Sequence, residues 1–147
     1  YQVVITKNAS AGIIAAADEL VDHLNQATGA RFPIMRANMA LSEKQIILRR
    51  TQAPETLSEE LGREGFVIRT VGQKLVIAGG TGSGTINGVY TFLEDVVGCR
   101  WYTPELRVIP SRKTLSIGPL NIQMLPVFEP VCVKIIRVNT PNPRRLT

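Results

Sequence analysis

The sequence predicts an α+β fold, a mixed β-sheet with two helices packed on one face. Three observations carry this reading. Two stretches, near residues 13–27 and 86–97, repeat their apolar residues at three- and four-residue steps, the period of an amphipathic helix. Short β-branched runs precede, separate and follow them. Two of those runs flank a turn at Gly72, which makes a β-hairpin and therefore an antiparallel pair, so the order of elements departs from a regular βαβ alternation.

The first strand is expected at residues 2–6 (QVVIT), ending in a turn at Lys7 and Asn8. Ile13, Ala17, Leu20, Leu24 and Ala27 then form an apolar stripe with Ile14 and Val21 beside it, while Asp18, Glu19, Asp22 and Asn25 fall outside it. Ser10 or Asn8 is expected to cap the first N–H groups, and Gly29 to close the helix in a left-handed conformation. Residues 45–48 (QIIL) read as a second strand and 55–61 as a short helical turn outside the core. The hairpin pairs residues 65–70 (GFVIRT) with 74–78 (KLVIA). A glycine-rich loop at 79–84 leads into the second helix, marked by Ile86, Val89, Tyr90, Leu93 and Val97 and ended by Gly98. Extended segments follow at 100–102, 114–117 and 131–138, with a VIP turn at 108–110, and residues 140–147 lack an apolar period and are expected to fray.

With 147 residues, 44% hydrophobic and 20% charged, the chain fits one compact core and excludes disordered, fibrous and disulfide-stapled classes. No apolar run approaches the ~20 residues of a membrane span, and no signal-peptide pattern opens the chain, so the expectation is a soluble protein or a mature or trimmed segment. Charge is uneven: residues 1–99 carry 9 Lys/Arg against 10 Asp/Glu, whereas residues 100–147 carry 8 against 2. Such a basic end can meet acidic partners, but no aromatic residues interleave with Arg144 and Arg145, so nucleic acid is not expected. Cys99 and Cys132 read as buried thiols or one disulfide.

The motifs that could carry chemistry are incomplete. Gly79 and Gly84 match the glycines of a phosphate-binding GxxxxGK[ST] loop, yet Thr85 and Ile86 stand where Lys and Ser/Thr are needed, and GxGxxG fails at Thr85 or Asn87. The loop therefore reads as a tight strand-to-helix turn, with a nucleotide-binding enzyme built on Gly79 to Thr85 as a rival. Ser83 lacks the outer glycines of a nucleophile elbow, and His23 reads as a surface histidine one helical turn from Glu19. One His and two distant Cys assemble no zinc site. Glu59, Glu60, Glu64, Glu94 and Asp95 are expected to face solvent rather than to span a cleft as a glycosidase pair, which requires about 5 to 9.5 Å between carboxyls. No catalytic residue, metal or cofactor is assigned. Trp101 and Tyr102 point to opposite faces if extended, one packing inward and one outward, with Arg100 along the apolar surface. The three also form a candidate carbohydrate-binding group. Gly88 sits inside a helix, where glycine costs about 1 kcal/mol, and close approach to the sheet would explain it.

The segments EGFVI at 64–68, LVIAG at 75–79, GTINGVYTFLE at 84–94 and GCRWYTP at 98–104 resemble the non-catalytic N-terminal domain of alpha-glucuronidases and related bacterial glycoside hydrolases. The resemblance covers about residues 1–130, including the VIP turn and PVFE at 126–129, and the domain type is similar to the one preceding the catalytic barrel of beta-hexosaminidases. It implies an accessory α/β domain at residues 1–130, from whose expected continuation residues 131–147 depart; that stretch is expected to be a C-terminal extension, partly disordered, and Gly79, Gly84, Gly88 and Gly98 are read from their positions as structural. The resemblance further implies a catalytic TIM barrel as partner in a longer chain, a carbohydrate-degrading system, and secretion or a periplasmic location. Polysaccharide is a second expected partner. The alternation of apolar and basic residues over 131–137, with Lys134 and Arg137, leads us to expect weak self-association through that segment.

Overall fold

The computed structural model of the chain describes residues 1–37, 44–51, 59–127 and 131–136, the backbone alone for residues 127 and 131–136. Strand β1 (Gln2–Ile5) leads into helix α1 (Ala11–Thr28), which returns to β2 (Ile34–Arg36) and β3 (Gln45–Arg50). A helical turn at 59–61 precedes the hairpin β4 (Phe66–Val71) and β5 (Lys74–Gly79). Helix α2 (Gly84–Phe92) runs into a π-turn (Leu93–Val97), followed by the small strands β6 (Arg100–Trp101) and β7 (Arg107–Val108) and by β8 (Asn121–Val127) and β9 (Val131–Ile136). Seven strands form one sheet in the order β2-β1-β3-β5-β4-β8-β9. The β2, β1, β3 and β5 pairings are parallel and those of β4 with β5, β4 with β8 and β8 with β9 antiparallel, so the sheet is mixed.

Both helices lie on the same sheet face, because the inward positions of every described central strand are apolar and join one core. Val3, Ile5, Ile46, Leu48, Phe66, Ile68, Leu75, Ile77 and Ile122 meet Ala16, Ala17, Leu20 and Leu24 of α1 and Val89 and Phe92 of α2 there. Side chains alternate across a strand, so Val4, Val67 and Ala78, buried outside that cluster, belong to the other face. Gly29 closes α1 at φ 72°, its N–H donating to the Asn25 carbonyl. Ser10, not Asn8, occupies the N-cap position of α1, and its side chain accepts no cap hydrogen bond, which corrects the capping expectation.

The hairpin closes through a two-residue turn, Gly72 and Gln73, since Val71 pairs with Lys74. Gly72 takes φ 60°, a conformation reserved in practice for glycine at the first central position of such turns. Inside α2, a Cβ on Gly88 would stand 2.7 Å from Ile77 Cγ2 and 3.2 Å from Phe66 Cδ2. Helix and sheet thus touch backbone to side chain at this point. The apolar spacing continues through Val97, but the helix widens after Phe92 into a π-turn whose end is sealed by Gly98 at φ 93°. Periodicity could not announce this, because Leu93 and Val97, four residues apart, share a face in either geometry.

Other expectations are corrected. Residues 114–117 are irregular, although Leu115 and Ile117 still pack on the core; the strand lies later, at β8. Pro126 obscured it, and tolerates its place because the β4 ladder ends at Met124 and leaves Pro126 paired only with β9. Strand β2 was missed because it has three residues after Pro33 and only one neighbour in the sheet. The strand expected at 131–138 is β9, so the sheet continues past position 130. The fraying expected at 140–147, Arg144, Arg145, Arg137 and residues 55–58 lie outside the described residues.

Replacing Gly88 by Leu is expected to destabilise the chain by about 2 kcal/mol through overpacking against Ile77 and Phe66. Gly80→Ala is expected to cost more, because its Cβ would strike the Gly62 carbonyl, a backbone atom with no rotamer to yield. Urea midpoints of the two variants check both; an unchanged midpoint for either contradicts the packing described here.

Candidate functional site

Two places drew attention in the sequence, the glycine-rich loop and the aromatic pair. At the loop, four amides face inward. Gly80 N–H donates to Gly65 O at 2.9 Å, Thr81 N–H to Gly62 O at 3.0 Å, and Gly82 and Gly84 N–H to Arg63 O at 2.9 and 3.2 Å. The Asn87 amide donates to Glu64 O at 3.2 Å, and the Thr85 hydroxyl donates to Arg49 O at 3.1 Å. A phosphate cradle needs such N–H groups pointing at an anion; here carbonyls of the turn before β4 hold them. Glycine is required because Cβ atoms on Gly79 and Gly84 would strike Thr85 N and Gly65 O.

The aromatic pair lies in the β6–β7 hairpin, laid across the two helices. The Trp101 ring packs on His23 of α1, centroids 5.4 Å apart, and meets Tyr90 of α2 edge-on at 5.3 Å. Beside it Arg107 reaches Asp22 at 3.4 Å and Glu19 at 4.0 Å. Arg100 turns its guanidinium back to the Glu94 and Cys99 carbonyls, at 2.7 and 2.8 Å. Tyr102 is exposed. Trp101 and Tyr102 therefore face opposite ways, Trp101 half-buried between the helices and Tyr102 toward solvent.

His23 is the residue that sequence reasoning misplaced. It is fully buried rather than on the surface, with Nδ1–H donating to the Glu19 carbonyl at 2.8 Å and Nε2 buried without a partner. That the first carbonyl accepts means the proton sits on Nδ1. The signal available was position: His23 follows Leu20 at the three-residue step of the apolar stripe. Nearby, Cys99 is a buried free thiol whose pKa is pushed up, first by burial, against the opposing pull of Arg100 and Arg107. Burial, and then Glu19, raise the Tyr90 hydroxyl likewise. Neither group is an activated nucleophile.

The remaining carboxylates do not converge. Glu59, Glu60, Glu64, Glu94 and Asp95 are all exposed. Among the described residues, no three His, Cys, Asp or Glu side chains gather as a metal-binding group, and no helix is long and apolar enough to cross a membrane. Gly98 fits between Arg112 and Pro110, 3.4 and 3.5 Å from a would-be Cβ, where its left-handed backbone turns the chain from the π-turn into β6.

Comparison with known proteins gives a consistent picture. A GH138 enzyme targeting pectin rhamnogalacturonan II shares the fold with a TM-score of 0.51 at 17% identity, over 82% of this chain and 11% of that one. Two hexosaminidases are similar more loosely. The GH20 beta-N-acetylhexosaminidase from Streptomyces coelicolor A3(2) has a TM-score of 0.48 at 22% identity over 63% of this chain and 17% of its own. A mutant Streptomyces plicatus beta-hexosaminidase in complex with GlcNAc has 0.45 at 22% over 62% and 16%. The chain thus spans about a tenth of the length of the GH138 enzyme and a sixth of each hexosaminidase. No curated protein sequence matches it. The model of the glycosyl hydrolase family 67 N-terminus matches residues 1–92, which takes in the sheet from β1 to β5, both helices and the glycine clasp between them, and the chain belongs to that family.

Proposed function

We propose that this is a non-catalytic accessory domain of a carbohydrate-degrading enzyme, one that supports or orients a catalytic TIM barrel carried in the same longer chain and works in the periplasm or outside the cell. The family match over residues 1–92 carries the reading. The chemistry of the domain supports it. Glycosidic cleavage needs two carboxyl groups held across a cleft, one of them kept protonated by its surroundings. Glu59, Glu60, Glu64, Glu94 and Asp95 lie exposed on a helical turn, the turn before β4 and the π-turn. The glycine loop, the rival site, has the amides of Gly80, Thr81, Gly82 and Gly84 engaged by internal carbonyls.

A second reading, carbohydrate binding through Arg100, Trp101 and Tyr102, has one observation in its favour, the open ring of Tyr102 next to Arg100. Against it, Trp101 is engaged by His23 and Tyr90. Saturable oligosaccharide binding lost in Tyr102→Ala, with the melting temperature unchanged, would establish that reading in place of the first.

The isolated chain is expected to hydrolyse neither aryl glycosides nor xylan-derived oligosaccharides; turnover abolished by Glu64→Gln or Glu94→Gln would contradict the accessory role. Trp101→Ala is expected to lower the stability of the isolated chain by about 3 kcal/mol, since it empties the contact between the helices and the small hairpin. Denaturant unfolding measures this, and a loss below about 0.5 kcal/mol, the usual range for a surface substitution, would contradict the packing role given to that ring.

A further inference from the structure

We propose that the outward face of the β6–β7 hairpin is the surface on which this domain seats the catalytic part of a longer glycoside hydrolase chain, an inference that rests on the function proposed above. The register pairs Trp101 with Arg107 and Arg100 with Val108. Trp101 and Arg107 face the helices, so Arg100 and Val108, with Tyr102 one step beyond, face away from them. Tyr102 N–H donates to Leu106 O at 2.9 Å, which brings Leu106 alongside Tyr102. The outward face therefore presents Tyr102, Leu106 and Val108 together, 67, 55 and 47% exposed.

A hairpin with one face against a core and the other in water is expected to alternate apolar and polar residues. This one carries apolar side chains on both sides, Trp101 inward and Tyr102, Leu106 and Val108 outward. Its position is held, because Trp101 is wedged on His23 and Tyr90 and Arg107 reaches Glu19 and Asp22. A contiguous, anchored apolar patch marks a contact with another surface.

The chemistry of the patch selects a protein surface. Leu106 and Val108 bring branched aliphatic groups and no hydrogen-bonding atoms, whereas a sugar face requires polar partners around its ring. The one guanidinium on the face, Arg100, is turned back to the Glu94 and Cys99 carbonyls. Exposed Glu94 and Glu105 border the patch and call for a basic rim on the partner. The neighbour that shares this fold devotes 11% of its chain to the matching region, so most of such a polypeptide lies outside the domain and can supply the surface that covers the patch.

Hydrogen exchange over residues 100–108 tests the assignment, measured in the 147-residue chain and in a longer glycoside hydrolase chain that carries this domain, each with and without Leu106→Ser/Val108→Ser. Hairpin amides are expected to exchange about tenfold more slowly in the longer protein, and the double variant to erase that difference. In the 147-residue chain the double variant is expected to shift the melting temperature little, because Leu106 and Val108 are 55 and 47% exposed there. Equal exchange in both proteins, with the longer one active on glycosides, would sink the surface and leave the accessory role standing. A longer protein without glycosidase activity would sink the accessory role itself, and the surface with it. Concentration-dependent association of the shorter chain, or oligosaccharide binding, abolished by the double variant would hand the face to a second copy or to a glycan and overturn the proposal as well.

Discussion

The turn at residues 61–65 carries five successive carbonyls, and every one of them is taken, one within the turn and four by the glycine loop and α2. Leu61 O accepts from Gly65 N–H, Gly62 O from Thr81, Arg63 O from Gly82 and Gly84, Glu64 O from the Asn87 side chain, and Gly65 O from Gly80. This clasp sets where the β4–β5 hairpin begins and ends and where α2 starts. It works only if the two backbones approach without intervening side chains, which is why Gly65, Gly79, Gly80 and Gly84 all face backbone atoms at distances that exclude a Cβ. Buried backbone groups must be paired, so the clasp replaces water at a junction where three elements meet. One consequence is chemical. A loop whose composition invites comparison with a phosphate site has four of its amides held by its own neighbours.

A second joint holds the small hairpin to the helices. The Arg107 contacts with Glu19 and Asp22 join side chains that are 43, 30 and 51% exposed, and exposed ion pairs of that kind contribute about 0–1 kcal/mol. Aromatic packing of Trp101 on His23 and Tyr90 is the stronger part, with each aromatic pair adding about 0.5–1.5 kcal/mol beyond the area it buries. The buried imidazole is held with its Nδ1–H on the Glu19 carbonyl. Clasp and wedge together make α2 a fixed strut: glycine contacts tie its start to the sheet, and Tyr90 ties its middle to the hairpin.

Much of this was legible in the residues. Helical periods located α1 and α2, the β-branched runs around Gly72 located β4 and β5, and Gly88 announced a close approach that Ile77 and Phe66 supply. The motif series around GVYTFLE and GCRWYTP pointed to the family that the chain belongs to. What stayed hidden depends on long-range contact. His23 is polar, so only its place on the stripe, not its chemistry, marked it as buried. The residue that covers it, Trp101, lies 78 positions later. Likewise, no local pattern says that the amides of Gly80, Thr81, Gly82 and Gly84 meet carbonyls from a turn some twenty residues earlier. Strand β8 carries a proline that argues against a strand until its place beyond the β4 ladder is known.

The account stands or falls on the glycine loop being a closed structural clasp rather than an open anion site. Native-state hydrogen exchange of the Gly80, Thr81, Gly82 and Gly84 amides, recorded by NMR with and without millimolar inorganic phosphate or ATP, tests it most directly. If the four amides are held by Gly62, Arg63 and Gly65, they exchange at rates close to those of the central strands, and neither rates nor chemical shifts respond to the anion. Fast exchange of these amides, or saturable shifts on adding phosphate, would show that the loop is open to ligand and would contradict the account.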